Sequence, residues 1–125
     1  MIQFSKNDVL ALYQIMTDMT GGTEGIREES LLDSALSAPY QTFGGSELFP
    51  TVIEKAARLG YGLVANHPFI DGNKRIGIYV MLVFLEINGY VLAFNDEEIV
   101  DLALGVASGK YKYEDLLQKL TLKAE

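Results

Sequence analysis

The stretch Asn66-His67-Pro68-Phe69-Ile70-Asp71-Gly72-Asn73-Lys74-Arg75 decides how this chain reads. Pro68 cannot continue a helix, and it pushes the residue before it out of the helical region. Helical periodicity running in from upstream must therefore stop there. That periodicity is strong: from Pro50, with the proline in the first turn, Val52, Ile53, Ala56, Leu59, Gly60, Leu63 and Val64 fall on one face. Downstream, Gly72 to Asn88 is the most apolar segment of the chain, and Gly89 supplies a stop. Being apolar on most sides, it reads as the central buried helix. The quoted stretch is thus a short loop, His67 to Asp71, between two long helices.

Working outward, Ser5 is a plausible N-cap with Asp8 in the first turn behind it. Val9, Leu12, Tyr13 and Met16 then recur at helical spacing until Gly21-Gly22. A short helix over Glu28 to Leu36 carries Leu31, Leu32, Ala35 and Leu36, and Pro39 closes it. The glycine pair within Tyr40 to Phe49 suggests an irregular loop or a small hairpin. Tyr90 to Phe94 is a strand fragment or an extended link. Asn95 caps a helix whose first turn holds Asp96, Glu97 and Glu98, favourable at the positive end of a helix dipole. That helix ends near Ser108-Gly109, and a last one covers about Tyr113 to Leu122. The expectation is an all-α chain of six helices with little or no sheet.

With 125 residues and 13.8 kDa, the chain reads as one domain over residues 1–125. Hydrophobic residues make up 49%, enough for a real core, so wholesale disorder is excluded. The net charge of −7 argues against nucleic acid or an anionic membrane as partner, because both demand clustered positive charge. The near-continuous apolar run from Ile76 to Leu85 is too short to span a bilayer. The N-terminus lacks the basic and apolar regions of a signal peptide, so a cytoplasmic protein is expected. With no cysteine and one histidine, a structural zinc site is not expected.

The loop also carries chemistry. A helix start has unpaired backbone N–H groups and the positive end of the dipole. Lys74 and Arg75 add two cations there, where they are unfavourable for the helix itself. A phosphate is the natural guest for such a site. Gly72 lets a ligand approach the backbone closely. Asp71, which taken alone is most simply an N-cap, stands where a divalent cation would bridge a carboxylate to phosphate oxygens. Histidine is the side-chain type whose unperturbed titration falls near neutral pH, and His67, the only one in the chain, could take a proton from an attacking hydroxyl. Each residue alone has an ordinary structural explanation. Together, within residues 67–75, they describe a phosphoryl- or nucleotidyl-transfer site.

The run His67-Pro68-Phe69-Ile70-Asp71-Gly72-Asn73-Lys74-Arg75 resembles the signature of the Fic/Doc superfamily, His-x-Phe-x-(Asp/Glu)-Gly-Asn-(Gly/Lys)-Arg. Gly25-Ile26-Arg27-Glu28, before Leu31-Leu32-Asp33-Ser34-Ala35, is similar to its Doc branch, as is the order of six helices. The resemblance implies a compact all-α Fic/Doc-like fold. It also implies ATP as substrate, Mg²⁺ as cofactor, His67 as general base, and Asp71 as metal ligand. Gly72, Asn73 and Lys74 would give backbone amides to a phosphate, with the Lys74 ammonium and the Arg75 fork beside them. Asn73 has the further option of bracing the loop with its side chain. Phe69 would anchor the loop in the core, and Pro68 would stiffen it.

Two positions separate this chain from the AMP-transferring Fic proteins, which usually carry Gly at the place of Lys74 and a second Arg at the place of Ile78. In Doc proteins this variant is associated with reversed ATP, so the resemblance implies transfer of the γ-phosphate. It further implies a toxin that phosphorylates elongation factor Tu and arrests translation, held in check by a Phd-type antitoxin. The alternatives are an AMP transferase of the wider Fic type and a catalytically idle partner-binding module. Thr20 to Gly25 matches the letters of a Fic inhibitory helix, but two adjacent glycines disfavour a helix there. Gln41 to Phe49 falls where Fic proteins place a target-docking flap.

Overall fold

The computed structural model describes all 125 residues. Six helices follow one another: α1 (Lys6–Thr20), α2 (Glu29–Ser37), α3 (Val52–Asn66), α4 (Asn73–Ile87), α5 (Asp96–Ala107) and α6 (Tyr113–Ala124). A 3-10 turn, Ala38–Tyr40, carries Pro39 beyond the end of α2. The only sheet is an antiparallel hairpin of β1 (Thr42–Phe43) and β2 (Ser46–Glu47), joined through Gly44 and Gly45, both at positive φ. Residues 90–94 are an extended link without strand partners. No helix is long and apolar enough to cross a membrane.

Three helix starts show why the chain breaks where it does. The Ser5 hydroxyl accepts from the Asp8 amide, and the Asp8 carboxylate accepts in return from the Ser5 amide. Asn95 and Glu98 form the same reciprocal box at α5. At α3 the box is Thr51 with Glu54. The expected start at Pro50 is therefore two residues too early: Thr51 is the cap and Val52 the first helical residue. A threonine followed three residues later by glutamate satisfies two orphan amides at once, which a proline at the first helical position cannot do.

The expected central helix α4 does lie in the core, burying Ile76, Ile78, Val80, Met81, Phe84 and Leu85. It shares that place with α3, which also packs against α2, α5, α6 and the 3-10 turn. Two glycines set the α3–α4 distance. A Cβ on Gly77 would come within 2.5 Å of Val64 Cγ2 and 3.2 Å of the Gly60 carbonyl oxygen. A Cβ on Gly60 would come within 2.8 Å of Met81 Sδ. Larger residues would push the pair apart, and the loop joining the two helices would move with them.

Lys55, on the first turn of α3, is buried although charged. Its ammonium donates to the Glu47 carboxylate at 2.8 Å and to the Phe49 carbonyl, and lies 5.4 Å from the Tyr40 ring centroid. This fixes the base of the hairpin. The hairpin tip is open to solvent, with Phe43 80% exposed.

Candidate active site

The loop from His67 to Gly72 joins the C-terminus of α3 to the N-terminus of α4. Its middle is anchored and its two ends are open. Phe69 is fully buried, and its ring stacks on Tyr13 of α1 with centroids 4.0 Å apart and planes 14° apart. Pro68 is buried as well. The Tyr13 hydroxyl donates to the Asp71 carbonyl at 3.0 Å. Burial pushes the Tyr13 phenol above its ordinary pKa, with a smaller push from the Asp71 and Glu24 charges, so it stays a proton donor at neutral pH.

Asn73 ties the loop from the other side. Its side chain is buried, accepts from the Phe69 amide at 2.8 Å and donates to the Phe69 carbonyl at 2.9 Å. Both functional atoms are occupied, so the side chain braces the loop and only the backbone amide faces a ligand. The amide of Gly72 is occupied too, donating to the Asp71 carboxylate at 2.8 Å. Asp71 is thus not the N-cap of α4. That position belongs to Gly72, in the left-handed region at φ 81°, and no side chain caps the helix there. The backbone must turn through a conformation that glycine adopts freely, and a Cβ would also meet Met16 Cε at 2.8 Å.

What remains open is a row of donors. The N–H groups of Asn73, Lys74 and Arg75 precede the first intrahelical bond of α4, whereas α1, α3 and α5 receive side-chain caps. Lys74 and Arg75 are exposed and take part in none of the ion pairs of this acidic chain. Each opposes the helix dipole at a cost of about 0.3–1 kcal/mol. These groups, with His67, Ile70 and Asp71, line an open cleft of about 270 Å³. That lies just below the usual range of small-molecule pockets, about 300–1,000 Å³.

His67 stands at the mouth of the cleft, exposed, and is the only non-glycine residue at positive φ (φ 53°, ψ 53°). Histidine enters this region more often than most residues, yet it still costs on the order of 1–3 kcal/mol unless the surroundings enforce it. The enforcing element is the segment before α2. Ile26 bridges Phe69 in antiparallel fashion. The Arg27 and Glu28 amides donate to the Pro68 carbonyl at 2.7 and 3.1 Å, and the Ile70 amide donates to the Gly25 carbonyl at 2.9 Å.

Asp71 keeps its second carboxylate oxygen free. Gly22 makes room for it, since a Cβ there would lie 2.7 Å from Asp71 Oδ2. No group of three or more acidic, histidine or cysteine side chains is gathered to hold a metal by itself. A single carboxylate fits a Mg²⁺ ion that arrives with phosphate oxygens as its other ligands.

A model of the Fic/DOC family matches residues 3–85, which includes α1 to α3, the loop and most of α4. The chain belongs to the Fic/DOC family. Among curated proteins it is similar to Toxin Doc of Mycolicibacterium smegmatis, 39% identical over 90 residues that cover 70% of this chain and 69% of that one. It is also similar to Protein kinase doc of Escherichia phage P1, 28% identical over 128 residues spanning both chains fully. Both stand on the Doc side of the family, where the lysine at position 74 and the isoleucine at position 78 also put this chain. Ile78 is buried and forms part of an apolar groove of about 220 Å³ that adjoins Lys74 and Arg75, between α4 and α5.

Two positioning residues escaped the sequence reading. Tyr13 looked like one more member of the α1 apolar stripe, which it is, and its hydroxyl contact with residue 71 has no local signal. Arg27 carried only a family resemblance. The Thr20 to Gly25 letters are non-helical after Thr20, and the Glu24 carboxylate accepts from Gln14 and Thr17, at 2.9 and 3.2 Å. No inhibitory helix exists there.

Proposed function

We propose that this chain is a Doc-like toxin that transfers the γ-phosphate of ATP to a Ser or Thr hydroxyl of a protein target, elongation factor Tu, and thereby arrests translation. The observation that carries the reading is the cleft itself. The sole histidine faces an uncapped helix start that bears two unpaired cations. His67 would accept the proton of the attacking hydroxyl. The new bond forms between that oxygen and the γ-phosphorus, the bond to the β–γ bridging oxygen breaks, and ADP leaves. The amides of Asn73 and Lys74 would hold phosphate oxygens, with Gly72 shaping the turn that exposes them. The Lys74 ammonium and the planar Arg75 fork would neutralise charge on the tail. Asp71 would hold Mg²⁺, which supplies charge neutralisation on the phosphates when bound. Phosphoryl transfer depends mostly on such positioning and electrostatics, which matches a site built from backbone amides and cations.

The target would lie across more than the cleft. Lys55, which anchors the hairpin, and His67 are 12 residues apart on or just beyond α3, about 18 Å of helical rise. A protein partner can reach both places. The Phd-type antitoxin is the second partner. An amphipathic antitoxin segment would suit the apolar strip beside the cleft, where Tyr79 and Val100 are exposed. Cytoplasmic residence would follow from that target.

The test uses purified protein, Mg²⁺, a bacterial extract, and ATP labelled at either the γ- or the α-phosphate, with His67→Ala as control. Label on one protein from γ-ATP alone, lost in the variant, is the expected result. Label from α-ATP would make the chain an AMP transferase. Label from neither would leave a partner-binding module.

A further inference from the structure

We infer that Arg27 is the positioning residue that holds His67 in its working conformation; this rests on His67 being the general base proposed above. The Arg27 guanidinium donates from Nε to the His67 carbonyl at 2.8 Å and from Nη2 to the Asn66 carbonyl at 3.2 Å. These are the carbonyl of the last α3 residue and that of its C-cap, left without backbone partners where the helix ends. A cation there also complements the negative end of the dipole. The clamp therefore grips both sides of the one residue that the fold keeps in the left-handed region without being glycine.

The competing explanation is that Arg27 merely holds the surface together. The distances decide against it. Its only ion pair is with neighbouring Glu28 at 3.9 Å, with both side chains about half exposed, and such pairs contribute little. The path of the segment does not need the side chain either. Backbone bonds from Arg27 and Glu28 to Pro68, and from Ile70 to Gly25, already dock it on the loop, and any residue could make them. What arginine alone adds is a planar fork that reaches two adjacent carbonyls. Arg27 is not among the residues lining the cleft, so it acts on the histidine backbone and not on the nucleotide.

The experiment compares the full chain with Arg27→Met, Arg27→Lys and His67→Ala. Four quantities are read: thermal unfolding, ATP affinity by calorimetry, γ-phosphate transfer as separate kcat and KM, and the imidazole resonances of the single histidine. Arg27→Met should bind ATP within twofold of the wild type and keep its KM for ATP. Its kcat should fall tenfold or more, and the His67 resonances should shift or broaden. Arg27→Lys reaches one carbonyl only and should fall between. If kcat stays within twofold and the resonances do not move, the inference is wrong. It is equally wrong if ATP affinity and kcat fall together. Should Arg27→Met not fold, Arg27→Lys is judged by the same criteria. If the wild type transfers no phosphate, the proposed function fails alone, and the resonances still decide the clamp: moved, it stands; unmoved, it falls.

Discussion

Replacing Asn73 with alanine separates two roles that the signature motif confounds. If the side chain contacted phosphate, the substitution would weaken ATP binding and leave the fold alone. The structure says otherwise. Two hydrogen bonds to Phe69, at 2.8 and 2.9 Å, would be lost in a fully buried setting. Each is worth about 1 kcal/mol net, and a buried N–H or C=O left unpartnered costs about 1–3 kcal/mol. Taking about 1.5 kcal/mol for each of the two Phe69 groups left unpartnered gives about 3 kcal/mol. A chain of 125 residues has an unfolding entropy near 260 cal/mol/K at about 2.1 cal/mol/K per residue, so the loss converts to about 11 °C in Tm. The protein survives it, since domains have about 5–15 kcal/mol in hand. Asn73→Asp should do no better. It keeps an acceptor for the Phe69 amide but turns a carboxylate oxygen toward the Phe69 carbonyl. Scanning calorimetry of the three proteins without nucleotide is the assay. A fall of less than 2 °C in Asn73→Ala would refute the brace and add the Asn73 side chain to its amide as a ligand group.

The other expectations concern charge, packing and pH. Lys74→Glu with Arg75→Glu should raise stability by about 1–2 kcal/mol, since both charges then agree with the dipole, while calorimetric ATP binding disappears; an unchanged urea midpoint would show that these cations do not strain the helix. Gly77→Val should cost about 1–3 kcal/mol in urea unfolding, because its Cβ alone would sit 2.5 Å from Val64 Cγ2 in the α3–α4 interface. The Glu98 carboxyl is held below its ordinary value of 4.5, first by the Lys123 ammonium and then by the Asn95 amide. A depressed carboxylate stabilises the fold above its unfolded pKa and loses that contribution as pH falls through the folded one. Glu98→Gln should therefore be less stable than the wild type at pH 7, and the two should converge below pH 4. A gap that stays constant down to pH 3 would rule the linkage out.

The fold was legible where its cause is local. Ser5 with Asp8 and Asn95 with Glu98 are spaced to cap, and they do. Gly44-Gly45 permits the hairpin that its neighbours form. Thr51 with Glu54 was equally local, but Pro50 beside it drew the helix start to itself. The site was legible as composition and illegible as wiring. The amide of Gly72 looked like a donor for a phosphate and instead donates to the Asp71 carboxylate, whereas the Asn73 side chain braces the loop, the option its type and position had offered. Which way they turn depends on the Phe69 backbone, and that depends on Tyr13, whose hydroxyl meets Asp71 across 58 residues of sequence. Arg27 reaches His67 across 40. No period or spacing encodes contacts of that range.

Three departures from local rules fall together within the nine residues 67–75. Two cations stand at the wrong end of a helix, α4 starts on a glycine without a side-chain cap, and a histidine adopts a conformation suited to glycine. Local consistency is the normal condition of a foldable sequence, and departures collect where function demands them. Here each departure has the same chemical sense. The missing cap leaves amides open, the cations add positive potential over those amides, and the turned backbone sets an imidazole at the rim of that positive cleft. A loop selected for stability alone would place Ser or Asp at position 72 and acids at 74 and 75, as α5 does with Asn95, Asp96, Glu97 and Glu98. The contrast between α4 and α5, adjacent in one fold, is therefore an internal control. The same chain shows how it starts a helix for stability and how it starts one that leaves its amides open beside two cations.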